Sequence, residues 1–362
     1  MKKIIALMCC LAIALSLVAC GAKQEAPAAT EAPKVEAAPE AAPEAAPATE
    51  APAAPAEVIT LRFSGSNNPG DTHTAGIEEV KRVLEEISGG TMKLDLYLSG
   101  TLFSQDAETE ALMNGDLDLC YTSSQWIAEY VDEANMFTAM YLYNDVDHLN
   151  AVLNGEIGAE LFETVAEKID VYPLAAYYYG ARDCLMVDGS KQYNTPEDMK
   201  GVAMRKPNTE AWLFVGEALG ANPIPLAFGE MYTALQTHMI DAVANPLPTI
   251  INNKLYEVCE TVVMTDHILD SVWPTISCKT WDKLNDQQRA WLREAIEAGR
   301  LVAEKEMLDR EAESIATLEA NGLTIQYPDK NAFREFALAK YEESGKTALW
   351  DMDLYKTVLE MG

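Results

Sequence analysis

The stretch from Lys200 to Pro246, KGVAMRKPNTEAWLFVGEALGANPIPLAFGEMYTALQTHMIDAVANP, alternates strand-like and helix-like patterns with turn chemistry between them. A short strand leads to Arg205, and Asn208-Thr209 can open a helix behind it. Gly220-Ala221-Asn222-Pro223-Ile224-Pro225 reads as a turn. A second helix follows and ends on Ile240-Asp241-Ala242-Val243-Ala244-Asn245-Pro246, which reads as a strand leaving a helix C-terminus. The same alternation extends outward. Ile59 to Phe63 alternate as a strand, and Ile77, Val80, Val83, Leu84 and Ile87 recur at helical spacing until Ser88-Gly89-Gly90 stops them. Met92 to Leu98 and Leu117 to Tyr121 read as strands around a helix over Ala107 to Asn114. Later, a strand is predicted over Val272 to Cys278. A long polar run from Asp286 to about Glu319 carries an apolar stripe of Trp291, Ile296, Leu301 and Met307. This alternation implies an α/β fold, a mixed sheet flanked by helices on both faces. Ligands in such sheets gather beyond the carboxyl ends of strands. That brings the loop Ser64 to Asp71 with Asn67, the segment Tyr121 to Trp126, and the strand exits near Arg182 and Arg205 around one crevice.

At the N-terminus, residues 1–20 read MKKIIALMCCLAIALSLVAC, a positive start and a short apolar core, the pattern of a signal peptide rather than a spanning helix. Its end, Leu17-Val18-Ala19-Cys20-Gly21, resembles a bacterial lipobox, which would make Cys20 a lipidated residue anchored to a membrane face. Residues 21–57 form a Pro/Ala/Glu-rich tract, too poor in apolar side chains to build a core. Its prolines and glutamates predict an extended tether with a reach on the order of 100 Å. The remaining 58–362 exceed what one core usually serves, so two lobes are expected: lobe I over 58–180 and lobe II over 181–268. Residues 269–362 would then return a strand to lobe I and pack the long connecting helix and further helices on both.

A net charge of −30, from 57 acidic and 27 basic side chains, argues against nucleic-acid partners, which need clustered Lys and Arg. Cys120, Cys184, Cys259 and Cys278 form no CxxC pair and sit in apolar segments, so buried free thiols are expected. Four widely separated histidines argue against a metal site. GxSxG, HExxH, Walker and strand-linked GxGxxG patterns are all missing from the sequence, which argues against an enzyme and against a bound cofactor.

One residue stands out chemically. Arg205, at a strand exit, offers a planar fork that meets a carboxylate with two parallel hydrogen bonds. The segments around it, Lys200 to Pro207, Thr195 to Gly201 (TPEDMKG), Leu219 to Pro225 (LGANPIP), Tyr232 to Thr237 (YTALQT) and Lys254 to Val258 (KLYEV), resemble the extracytoplasmic solute receptors of tripartite ATP-independent periplasmic (TRAP) transporters, the DctP-like family. The resemblance runs over roughly Val58 to Tyr327. It implies the two-lobe periplasmic-binding-protein-like fold, with a cleft between lobes that close over one small organic acid. It also implies a pair of membrane partners, DctQ-like and DctM-like subunits, and an extracytoplasmic location. By the same likeness Arg205 is the carboxylate clamp, Arg182 of Gly180-Ala181-Arg182 assists the ligand or the hinge, and Asn245 approaches the carboxylate. Ala242 and Ala244 stand where the family has Gly and Glu, so any contact through that acid is missing.

Aromatic side chains are expected to wall the pocket: Trp126, Tyr179, Trp212, Phe228 and Trp273. Ser123 and Trp126 replace the acid and arginine of sialic-acid-specific relatives, which disfavours sialate. His267 is expected to be a satisfied structural histidine. The alternative function is a ligand-sensing surface lipoprotein coupled to no carrier.

Overall fold

The computed structural model describes residues 58–362. The expected signal peptide, Cys20 and the tether over 21–57 lie outside the described residues.

The chain opens with β1 (Ile59–Ser64), α1 (Thr72–Ile87), β2 (Met92–Tyr97), α2 (Gln105–Asn114), β3 (Leu119–Thr122) and a short α3 (Ser124–Ile127). Next come α4 (Val146–Leu153), α5 (Glu156–Ile169), β4 (Val171–Pro173) and β5 (Tyr177–Met186). The opening stretch supplies β6 (Ala203–Lys206), α6 (Glu210–Ala218), β7 (Asn222–Pro225), α7 (Met231–Gln236) and β8 (Ala242–Pro246), followed by α8 (Leu247–Asn252). The chain ends with β9 (Thr261–Ser277), α9 (Cys278–Trp281), α10 (Asp286–Ala320), β10 (Thr324–Gln326), α11 (Lys330–Glu343) and α12 (Met352–Met361).

Strand order is β2-β1-β3-β9-β5-β8-β6-β7, with β4 and β10 also pairing with β9. Parallel pairs join β1 to β2 and β3 on one side, and β6 to β7 and β8 on the other. Between them, β9 runs antiparallel to β3 through Trp273 to Ile276 and antiparallel to β5 through Thr261 to Val272. One strand thus belongs to both lobes. The strand predicted over Val272 to Cys278 is only its final third. Upstream, VVMTDHILDSVW is buried along nearly its whole length and shows none of the polar alternation that marks a half-exposed strand.

Two other expectations change. Asn222 to Pro225 is a strand, not a turn, parallel to β6 in the last position of the sheet. Proline cannot donate to a ladder, and an edge strand is where that costs least. The second helix of the opening stretch is a single short piece, Met231–Gln236, because the chain first takes a 3-10 turn over Phe228–Glu230.

The expected connecting helix is α10, 35 residues long, hence about 50 Å at about 1.5 Å per residue. Asn285 caps it, accepting from the Gln288 amide at 3.0 Å while Gln288 Oε1 accepts from the Asn285 amide at 2.9 Å. It contributes to three apolar clusters: Leu292, Ile296 and Ala303 pack with β1–β2 residues, Met307 with the central cluster, and Leu318 with the cluster around Met231 and Ile240. Against α1 it comes so close that a Cβ on Gly299 would lie 2.6 Å from the Gly76 carbonyl oxygen.

β5 passes between lobes at Gly180, whose φ of 101° suits glycine. A Cβ there would lie 2.9 Å from both Glu311 Oε1 and Pro246 Cβ. Glu311, on α10, accepts the Ala181 amide at 2.9 Å and so ties the crossing to the long helix.

Candidate functional site

A cavity opens where the carboxyl ends of β1, β3, β6 and β8 meet the crossing strands β5 and β9. Asn67, Trp126, Tyr179, Arg182, Arg205, Trp212, Phe228 and Asn245, the eight residues proposed from the sequence, all border it. Trp273 does not. It is fully buried and packs on Phe162, ring centroids 5.1 Å apart, because alternation along β9 turns it into the core and leaves Val272 on the cavity.

The two arginines differ in state. Arg182, only 7 % exposed, is held on several sides. Its Nε donates to Asp270 Oδ2 at 2.6 Å, and its Nη1 donates to the Ala244 carbonyl at 2.8 Å and to Asn245 Oδ1 at 3.1 Å. Its Cζ lies 4.4 Å from the centre of the Trp212 ring and 5.6 Å from that of Tyr179. Residue 244 therefore serves the site through its backbone, which an alanine supplies as well as a glutamate. Asn245 is likewise occupied in holding Arg182.

Arg205 is 3 % exposed and has no acidic partner among the described residues. Its Nε donates to the Leu226 carbonyl at 2.8 Å, while Nη2 is buried without any partner. Burial and the neighbouring Arg182 charge push its pKa down to about 9. A guanidinium does not lose its proton in proteins, so this depression measures an unmet charge. The Phe228 ring, 6.0 Å from Arg205 Cζ, covers it on one side.

The β1–β3 lobe contributes the other walls. His73, in the first turn of α1, stacks edge-on against Tyr179 at 4.6 Å and Tyr121 at 5.5 Å. Burial and the Arg182 charge lower its pKa to about 3, so it is neutral, and its Nδ1 has no partner. Glu108, on α2, is 3 % exposed. Its Oε1 accepts from Ser64 Oγ at 2.8 Å, and burial pushes its pKa up to about 8, helped by Asp106. Asn67 holds the loop by donating to Thr74 Oγ1.

Behind the cavity lies a second set of buried polar groups. Lys206 Nζ is fully buried without a partner, 5.9 Å from the centre of the Trp212 ring, and burial pushes its pKa down to about 7. His267 is only half satisfied. Nδ1 pairs with Thr265 Oγ1 at 2.8 Å, but Nε2 has no partner, and burial with the charges of Lys206 and Arg182 keeps the ring neutral. Among the described residues the four cysteines are free; Cys278 is only half-buried, and no cluster could hold a metal ion.

Sequence reading missed His73, Glu108, Asp270 and Lys206. Glu108 had a signal: it precedes Ala111 and Leu112 by three and four residues, so it shares their inward face. Asp270 and Lys206 lie in strands buried on both sides, where periodicity gives no direction.

The family model for bacterial extracellular solute-binding protein, family 7 (DctP), matches residues 63–347. The chain belongs to this family. A sialic acid-binding periplasmic protein, SiaP of Vibrio cholerae, is 31 % identical over 284 residues, 78 % of this chain and 88 % of that one. A TRAP periplasmic solute binding protein from Roseobacter denitrificans, solved with bound 3-deoxy-D-manno-oct-2-ulosonic acid, matches with a TM-score of 0.81 and 32 % identity over 84 % of this chain and 100 % of that one. Another from the same organism, with bound L-galactonate, matches at 0.74 and 26 % over 79 % and 94 %. The DctP-like family is thus the one that the motifs around Arg205 resemble, and its solved members share the two-lobe architecture. Its members are extracytoplasmic solute-binding proteins by description, not enzymes. No helix among the described residues of this family 7 chain is long and apolar enough to cross a membrane.

Proposed function

We propose that this chain is the solute receptor of a TRAP transporter, that it holds a small organic acid by pairing Arg205 with the carboxylate as the lobes close, and that it delivers the acid to membrane subunits of the DctQ and DctM kind. The observation that carries this reading is the Arg205 guanidinium: buried, in no ion pair among the described residues although Asp106 acts on it at a distance, and bordering the cavity with an orphaned Nη2. An isolated buried charge is costly, and a carboxylate removes that cost with two parallel hydrogen bonds. Arg182 already has Asp270 and fixes the cavity floor; its field adds attraction for the anion without surrendering its own partner. Closure follows if the closed form binds the acid better than the open form. Sialate remains disfavoured by Ser123 and Trp126, which border the cavity.

The lipobox-like end at Cys20 supports a lipid anchor, with the globular lobes carried on the extended tether. Cys20→Ser is expected to free the protein from membranes with ligand affinity intact; membrane retention of the variant would refute the anchor. The binding reading is tested by thermal shift of the full chain against small carboxylates and matched neutral analogues. Ligand at about 100 times its dissociation constant adds about 2.7 kcal/mol of stability. Shifts confined to acids are expected, and a response to neutral sugars alone would overturn the Arg205 clamp.

A further inference from the structure

Directly behind Arg205, on the other face of β6, stands a basic side chain with no partner of its own. Alternation along the strand turns Lys206 away from the cavity, and its stem packs on α6, where a Cβ on Gly216 would lie 3.5 Å from Lys206 Cγ. The side chain is 1 % exposed, and its Nζ has no hydrogen-bond partner among the described residues. It shares the Trp212 ring with Arg182: Nζ lies 5.9 Å from the ring centre and Arg182 Cζ 4.4 Å.

The groups facing this amine set its charge. β5 brings Arg182 and Cys184, β6 brings Arg205, and β9 brings Asp270 and His267. β7 and β8, which pair with β6, carry no ionisable side chain, and Glu210 and Glu217 of α6 are exposed. Burial pushes the Cys184 thiol up to about 11 and keeps His267 neutral, so the ionised neighbours are Arg182, Arg205 and Asp270. Asp270 is already paired with Arg182 at 2.6 Å, which leaves the Arg205 charge, in no ion pair, acting on Lys206. Burial first, and then the two guanidinium charges, bring the amine down to about 7.

A carboxylate seated on Arg205 cancels the charge that Lys206 faces, and the ammonium form then becomes easier to hold. We propose that Lys206 is a conditional third cation of the acid site: as the carboxylate pairs with Arg205, a proton from solvent joins the Lys206 Nζ lone pair, so anion and proton are held together. This inference rests on the carboxylate-receptor reading above. The coupling is reciprocal. If the acid promotes protonation, protonation tightens the acid. The amine binds its proton more strongly in the complex than in the free receptor, so the added affinity is full below about pH 7 and is lost as pH rises toward 9.

Calorimetry of the full chain at about pH 7.5 in phosphate and in Tris, whose heats of ionisation differ, counts the protons. The probes are D-glucuronate, L-galactonate and succinate. At least one is expected to bind, with uptake of about 0.3–0.5 proton and an affinity about 3- to 10-fold weaker at about pH 9 than at about pH 6.5. Lys206→Met should lose the uptake, bind about 3- to 10-fold more weakly than wild type at the lower pH, and match it at the higher. A merely structural role would weaken binding equally at both. Glu108, which borders the cavity and is pushed up to about 8 by burial, is the other cavity group that titrates in this range. Glu108→Gln should therefore keep the uptake that Lys206→Met loses. Uptake that survives Lys206→Met, or acid binding by wild type with no uptake, would overturn the linkage and leave the Arg205 clamp standing. No acid binding, with neutral sugars bound instead, would overturn both.

Discussion

Replacing Arg205 by methionine should move stability and binding in opposite directions. The guanidinium sits 3 % exposed with its Nη2 orphaned, and its pKa is held down to about 9 by burial and by Arg182. Against an ordinary arginine value above about 12, that is at least about 3 pH units, each worth about 1.4 kcal/mol, so about 4 kcal/mol of unmet charge is present in the empty receptor. Both folded and unfolded forms are protonated at pH 7, so the whole cost is felt there. Methionine fills a similar volume without charge. It forfeits the bond to the Leu226 carbonyl, 2.8 Å long, whose acceptor is then left to find another donor, a cost of about 1–3 kcal/mol. The net is a gain of roughly 1–3 kcal/mol, in the range seen when unpaired or paired buried charges give way to apolar side chains. For a domain of this size that raises the melting temperature by a few degrees, about 2–4 °C per kcal/mol. Acid affinity should fall by about 2–5 kcal/mol, the range for stripping one partner from a desolvated pair. Ligand-free melts and calorimetry on the same preparations check both signs. An Arg205→Met protein that melts lower than wild type without ligand yet binds the acid within tenfold would refute the reasoning on both counts.

Three further outcomes follow from the same geometry. Lys206→Met should raise ligand-free stability by roughly 1–4 kcal/mol. Because the folded lysine titrates near 7 and the unfolded one about 10.4, the unfolded state binds more protons between those values, so wild type gains stability as pH rises from 7 toward 10 and the variant lacks that gain; identical pH profiles would sink the idea. Glu108 has the opposite sign. Its folded value near 8 lies above the unfolded value of about 4.3, the folded state binds the extra proton, and stability is lost as pH rises from about 4.3 to 8; Glu108→Gln should flatten that fall in urea melts taken across the window. Gly180→Ala meets Glu311 Oε1, Pro246 Cβ at 2.9 Å and a φ of 101°, so it should cost about 1–3 kcal/mol, and a melt within 1 °C of wild type would show that the crossing has slack.

Much of the architecture was legible because helices and half-buried strands write their period into the chain. Ile77, Val80 and Leu84 predicted α1, and the capping pair Asn285 and Gln288 begins the long helix where its polar run starts. What stayed hidden was the centre. β9 is buried along nearly its whole length, so VVMTDHILDSVW shows no alternation and only its last residues were read as strand. The candidate site residues named from the sequence border one cavity because strand exits meet there, but their states were not legible. Only tertiary packing gives Arg182 an acid and leaves Arg205 without one, and only packing turns Trp273 away while Val272 faces the cavity.

The shared strand also governs the order in which this chain can fold. Thr122, at the end of β3, bonds to Thr275 across 153 residues at 2.7 Å. β5 likewise lacks its main neighbour until β9 has been made. Neither lobe can complete its sheet from its own early residues, so the ribosome releases most of the polypeptide before either half has a stable partner. Such long-range closure makes folding slow. The segments made first thus stay without their sheet partners, and the final assembly waits until the last strand and the long helix have been made.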